Sequence, residues 1–161
     1  MPFVDASRIE TDAELEQVVE TISWALPRAE DAGIELHLET SLGPPRFVEL
    51  LARLPSNLVK VNYDIGNSAS LGFDPREEFA AYGDRVGSVH IKDRVKGGVT
   101  VPLGSGDADL PAVFDCLQTL GYAGDFVLQV ARDVPGDEVS WAKRNRERVR
   151  EYLVGAETSG A

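Results

Sequence analysis

The sequence predicts an α/β protein whose parallel βα repeats form about half, four strands' worth, of a (β/α)8 barrel. Short β-rich runs alternate with longer helical ones, with turn residues at nearly every junction. Four β-then-α units in succession imply parallel strands joined by helical crossovers. The two faces of these strands also differ. One face carries Ile34, Leu36 and Leu38, then Val59, Val61 and Tyr63, then Val89 and Ile91, then Phe126, Leu128 and Val130, all apolar. The other carries Glu35, His37 and Glu39, then Lys60, Asn62 and Asp64, then Ser88, His90 and Lys92, then Val127, Gln129 and Ala131. An open doubly wound sheet has helices on both faces and would want both apolar, whereas a barrel enclosing a site tolerates polar inward positions.

The first helix is opened by Thr11 and Glu14, spaced as a capping box, and its apolar stripe is Leu15, Val18, Val19, Ile22 and Leu26. Gly33 stops it. Pro27 has no N–H and crowds the preceding carbonyl, so a kink or a detached last turn is expected there. A strand runs from Ile34 to about Thr40. Pro44-Pro45, with φ fixed near helical values, opens a helix bearing Phe47, Leu50, Leu51 and Leu54, which Pro55 closes. Leu58 to Asp64 reads as a strand, Pro75 to Tyr82 as a short helix, and Val86 to Lys92 as the next strand. A glycine-rich loop follows. Its Gly104-Ser105-Gly106 lacks a phosphate-loop lysine and dinucleotide spacing, and reads as a turn into a helix capped by Asp109 and stopped by Gly121. Phe126 to Ala131 is the last strand. A basic helix, roughly Glu138 to Val154, ends the fold, and 155–161 are expected to be an unordered tail.

With 161 residues, 43% of them hydrophobic, the chain can bury one core, so 1–161 is expected to be a single domain. No apolar run approaches the roughly 20 residues of a membrane span, and no basic-then-apolar leader is present. A soluble, cytoplasmic protein is the expectation. The single Cys116 offers neither a disulfide framework nor a CxxC site and reads as a near-core thiol. A formal charge of −11 repels phosphate backbones and anionic lipid, which argues against nucleic acid and membrane as partners.

The inward residues nearest the C-terminal strand ends are Glu39, Asp64, His90 and Gln129, one per strand, and that end of a barrel is where chemistry is placed. Two carboxylates and an imidazole suit a divalent metal ion such as Mn²⁺, Mg²⁺, Co²⁺ or Zn²⁺, to which Gln129 can add a neutral carbonyl oxygen. Any one of them alone would pass for an inert strand-end residue; four in register point to a site. Both histidines of the chain, His37 and His90, fall on this face. His37, Asn67, Lys92 and Arg132 are the candidate substrate contacts. Asn67 equally suits a plain turn, Lys92 an ordinary ion pair, and Arg132 an ordinary surface position.

The segments GIELHLET, VNYDIGNSASLG, VGSVHIKD, VPLGSGDADLPAVFDCL and GYAGDFVLQVAR, taken as an ordered set, resemble the second half of sugar phosphate isomerases and epimerases of the xylose-isomerase-like TIM barrel family. MPFVDAS is similar to the end of a fourth strand, so the resemblance implies a C-terminal half-barrel without its first half. It also implies a divalent ion held by Glu39, Asp64 and His90, with a fourth ligand where Gln129 stands in place of the family's glutamate. In epimerase relatives two glutamates flank the substrate, one removing a proton beside the carbonyl and the other returning one on the opposite face. An amide cannot serve as such a base, which leaves one-base isomerisation with Glu39 as the catalytic base. The implied activity is that of a metal-dependent isomerase or epimerase of a sugar or sugar phosphate; the alternative is a catalytically silent half-barrel that keeps the fold without turnover. Four strands cannot close a barrel, so a homodimer or the missing N-terminal half-barrel is expected as partner.

Overall fold

The elements follow in chain order as β1 (Pro2–Phe3), α1 (Asp12–Ala32), β2 (Leu36–Thr40), α2 (Pro44–Ala52), β3 (Val59–Asp64), α3 (Ile65–Leu71) and α4 (Pro75–Tyr82). They continue with β4 (Val86–Ile91), β5 (Asp93–Arg94), β6 (Thr100–Val101), α5 (Leu110–Thr119), β7 (Asp125–Leu128) and α6 (Glu138–Thr158). This structure, a computed structural model, describes the backbone of residues 1–158 and the side chains of residues 1–153. The tail expected over 155–161 therefore lies outside the described residues from 159 onward, and α6 runs to Thr158.

Five strands form one sheet in the order β1-β2-β3-β4-β7, and every neighbouring pair is parallel. This is the partial barrel of βα repeats the sequence predicts, with one strand more than the four counted there. Short β1 pairs Pro2 with Glu39 and Phe3 with Thr40, so the upper part of the β2 edge is covered. The expected glycine-rich loop contains the antiparallel β5-β6 hairpin. Between Val61↔Val86 and Asn62↔Ser88 the register slips by one residue, leaving Gly87 as a bulge in β4. A Cβ on Gly87 would lie 2.7 Å from His37 Cε1 and 2.8 Å from Lys60 Cβ, so the slip needs glycine there. Beyond the bulge, Asp64 stands directly opposite His90.

The expected apolar face forms the core. Leu38, Val59, Val61, Val89 and Ile91 are fully buried against the helices, and Tyr63 packs its ring on Phe79 at 4.7 Å between centroids. Ile34 departs from the expectation: β2 begins only at Leu36, and Ile34 is exposed. In α1 the capping box forms as expected, Thr11 Oγ1 accepting from Glu14 N at 3.2 Å and Glu14 Oε2 from Thr11 N at 2.8 Å. Of the kink or detached last turn expected at Pro27, the detached turn does not occur. The helix continues to Ala32 because its last turn is anchored by buried Ala29 and by Gly33, which takes a left-handed φ of 65° and donates to Ala29 O and Glu30 O.

Candidate metal centre

Glu39 ends the inner row of β2, Asp64 is the last residue of β3, and His90 stands on β4, so the parallel register brings the three together at the C-terminal edge of the sheet. His90 Nδ1 lies 3.6 Å from Glu39 Oε2 and 3.7 Å from Asp64 Oδ2, and one ligand atom of each residue falls within 4.8 Å of the others. The Asp64 side chain is 1% exposed while His90 is 21% exposed, so the cluster is walled behind by the sheet and open toward the inner face. Asp64 has a second task. Its Oδ1 accepts from Asn67 N at 2.8 Å and caps α3, so Asn67, a candidate substrate contact that equally suited a plain turn, sits in the first turn of a helix. From there Asn67 Nδ2 donates to Glu39 Oε1 at 2.7 Å, and Asn62 Nδ2 donates to Glu39 Oε2 at 2.9 Å.

Lys92 links this cluster to Gln129. Its Nζ lies 3.4 Å from Asp64 Oδ2, 3.2 Å from Asn67 Oδ1 and 3.0 Å from Gln129 Oε1. Gly66 makes room for that path, since a Cβ there would stand 2.6 Å from Lys92 Cγ. Gln129 follows β7 and is thus joined to Asp64 through the lysine; its backbone N–H extends the pairing to Ile91 O at 2.9 Å. His37 lines the same inner groove, hydrogen-bonded to Ser88 Oγ at 2.7 Å and to Glu35 Oε2 at 2.8 Å. Arg132 does not join them: it is exposed on the segment after β7 and lines a separate cavity with Trp141. Two participants were missed in the sequence. Asn62 was visible only as one more inward polar residue, and Arg94, whose Nη1 donates to Asn67 Oδ1 at 2.9 Å, comes from the hairpin read as a loop.

Behind the cluster a second carboxyl is buried. Glu78 of α4 accepts from Tyr63 Oη at 2.8 Å, from Tyr82 Oη at 2.7 Å and from Ser68 Oγ. Burial pushes the Glu78 carboxyl above its ordinary value, with the three hydroxyls opposing, and pushes both tyrosines upward as well. The group braces α3 against α4, so Asn67 is presented by a fixed helix.

The donor set fits a divalent ion. Donor atoms bound at about 2.1 Å to one ion stand roughly 3.0 to 3.4 Å apart, depending on whether they meet at right angles or tetrahedrally. The two separations from His90, 3.6 and 3.7 Å, are a few tenths wider, and all three donor atoms lie within 4.8 Å of one another, so side-chain adjustment would be needed to close on one ion. Two adjacent carboxylates also repel, and a cation between them relieves that repulsion.

Residues 2–152 match the family described as xylose isomerase-like TIM barrel. The inosose dehydratase of Geobacillus kaustophilus (strain HTA426) is 27% identical over 175 residues, covering 91% of this chain and 56% of that protein. The putative L-ribulose-5-phosphate 3-epimerase SgbU of Escherichia coli (strain K12) is 25% identical over 152 residues, covering 86% of this chain and 49% of that protein. Among solved structures, an L-ribulose 3-epimerase superposes with a TM-score of 0.78 at 18% identity over 94% of this chain and 59% of its own. A xylose isomerase-like TIM barrel protein from Mycobacterium smegmatis in complex with magnesium gives 0.68 at 22% identity, over 92% of this chain and 53% of its own. The chain spans about half the length of the curated relatives it matches. With its matched span, its parallel sheet and its polar inner row in agreement, this chain belongs to the xylose isomerase-like TIM barrel family.

Proposed function

We infer that this chain carries the metal-binding and proton-transferring side of an isomerase or epimerase acting on a ketose sugar or sugar phosphate. The observation that supports this most is the meeting of Glu39 Oε2, Asp64 Oδ2 and His90 Nδ1 at one point of the sheet edge. A bound divalent ion would polarise a substrate carbonyl and acidify the adjacent C–H. Asp64 and His90 would hold it from the wall of the site. Glu39, with both oxygens oriented by Asn62 and Asn67, would take the proton. Lys92 and Asn67 face the same groove and would hold substrate hydroxyl oxygens. The relatives' names are compatible with one shared step, because a ketose 3-epimerase and an inosose dehydratase both act on carbon next to a carbonyl.

A second reading has its own observation. Gln129 Oε1 is bound by Lys92, and an amide neither gives nor takes a proton in the working range, so the second base of a two-base epimerase is missing from this position. On that reading the chain is a metal-binding half-barrel without turnover. Deuterium wash-in from heavy water at the carbon beside a ketose carbonyl, followed by NMR with Mn²⁺ present, separates the two. The isomerase reading expects exchange in the wild type, a loss of about 10²–10⁴-fold in Glu39→Gln, and a gain in Gln129→Glu. Exchange at background in wild type and in Gln129→Glu alike would leave the silent reading.

The inner face lacks a covering helix among the described residues, and β7 borders the sheet. A second copy is the partner we propose: β7 of one chain beside β1 of the other would keep the neighbouring strands parallel and cover both polar faces.

A further inference from the structure

The polar contacts of the inner face continue below Glu39, and they have a direction. A carboxylate accepts hydrogen bonds and donates none, so the Asn62 group 2.9 Å from Glu39 Oε2 is the amide NH2. That NH2 also lies 3.2 Å from His90 Nδ1, which therefore presents a lone pair, with the ring proton on Nε2. Asn62 Oδ1 is thereby turned the other way, and Ser88 Oγ donates to it at 2.7 Å. A serine hydroxyl has a single hydrogen. Having given it to Asn62, Ser88 can only accept from His37 Nδ1, 2.7 Å away, and His37 Nε2 closes the series by donating to the Glu35 carboxylate Oε2 at 2.8 Å, so this direction places an N–H on both nitrogens of the His37 ring.

We propose that Glu35, His37, Ser88 and Asn62 form a directional hydrogen-bonded chain that orients the Glu39 carboxylate and the His90 ring, making His37 a positioning residue and not a substrate contact. The series crosses β2, β3 and β4, so it ties together the three strands that deliver the ligand candidates. Both ring nitrogens of His37 are engaged by protein groups, leaving neither for a substrate hydroxyl. The backbone is shaped around this ring as well, since the Gly87 bulge leaves open the space that a Cβ would take from His37 Cε1. Partners one step removed from metal ligands are commonly worth about 10–100-fold in metal affinity. The effect on affinity rests on the metal reading above; the orientation of the rings does not.

The test uses the metal-free, ¹⁵N-labelled full chain. With two histidines, a long-range ¹H–¹⁵N correlation spectrum contains two rings, which His37→Gln assigns. The wild type is expected to show His90 protonated at Nε2 and bare at Nδ1, and His37 with an N–H at both nitrogens. Ser88→Ala should mix the His90 tautomers and weaken Mn²⁺ binding by about 10–100-fold in calorimetry, with a melting curve still cooperative. Ser88→Thr, which keeps the hydroxyl, should restore both. A wild-type His90 protonated at Nδ1, or a Ser88→Ala spectrum with His90 unchanged, would overturn the proposal. If the wild type binds no Mn²⁺ while the ring spectra behave as expected, the metal reading fails and the positioning chain stands.

Discussion

Glu78 offers the clearest test at the scale of one residue. Its carboxyl is 3% exposed and raised above its ordinary value of 4.5, chiefly by burial. A carboxyl that holds its proton more tightly in the folded than in the unfolded chain contributes stability that is fully present below the unfolded value and is lost as pH rises through the folded one. Glu78→Gln stays neutral throughout, and shared contributions from other carboxylates cancel in the comparison. The stability of wild type relative to Glu78→Gln should therefore fall as pH rises above the ordinary carboxylate range, measured by thermal melts at intervals. Parallel profiles would show that Glu78 is not held in this way. The same scale shows where the sequence was silent. Glu39, Asp64 and His90 were legible because strand alternation fixes which face each occupies. The Lys92 link to Gln129 was not, because it depends on distances across two strands and on the space left by Gly66.

Among the elements, helices with a strong apolar stripe and a signalled start were legible, and those imposed by tertiary contacts were not. α1, α2, α4 and α5 begin where the Thr11 capping box, Pro44-Pro45, Pro75 and Asp109 place them. α3 carries Gly66, Asn67, Ser68 and Ser70, all weak helix formers, and exists because Asp64 caps it and Ser68 is tied to Glu78. The ends at Thr40 and Asp64 were read as they stand, while Ile34, Leu58, Lys92 and Ala131 overran their strands by one to three residues, since the alternation of side chains continues past the regular ladder. The relative weight of cap and core is measurable. Thr11→Ala should cost about 1 kcal/mol through the lost cap. Leu50→Ala, at a fully buried site between α2 and the sheet, should cost about 2–5 kcal/mol. Urea denaturation of both variants tests this, and a Leu50→Ala cost no greater than that of Thr11→Ala would mean the outer layer is loosely packed.

For the whole molecule, one face of the sheet is a closed core and the other is a row of polar groups with an open β7 edge. Parallel sheets are ordinarily covered on both faces, so a second copy is expected to associate there. Light scattering at micromolar concentration should give twice the 17.5 kDa chain mass, and a monomer with cooperative melting would contradict the pairing. No helix among the described residues is long and apolar enough to cross a membrane. If Glu39, Asp64 and His90 of successive strands make one cation site, calorimetric titration of Mn²⁺ into wild type and Asp64→Asn will show it. Asparagine keeps the α3 cap that Asp64 provides while removing its charge, so the fold is retained as the ligand is lost. Saturable binding to the wild type, absent or weakened by at least tenfold in Asp64→Asn at an unchanged melting temperature, is the expected result; equal Mn²⁺ affinity in the two proteins would contradict it.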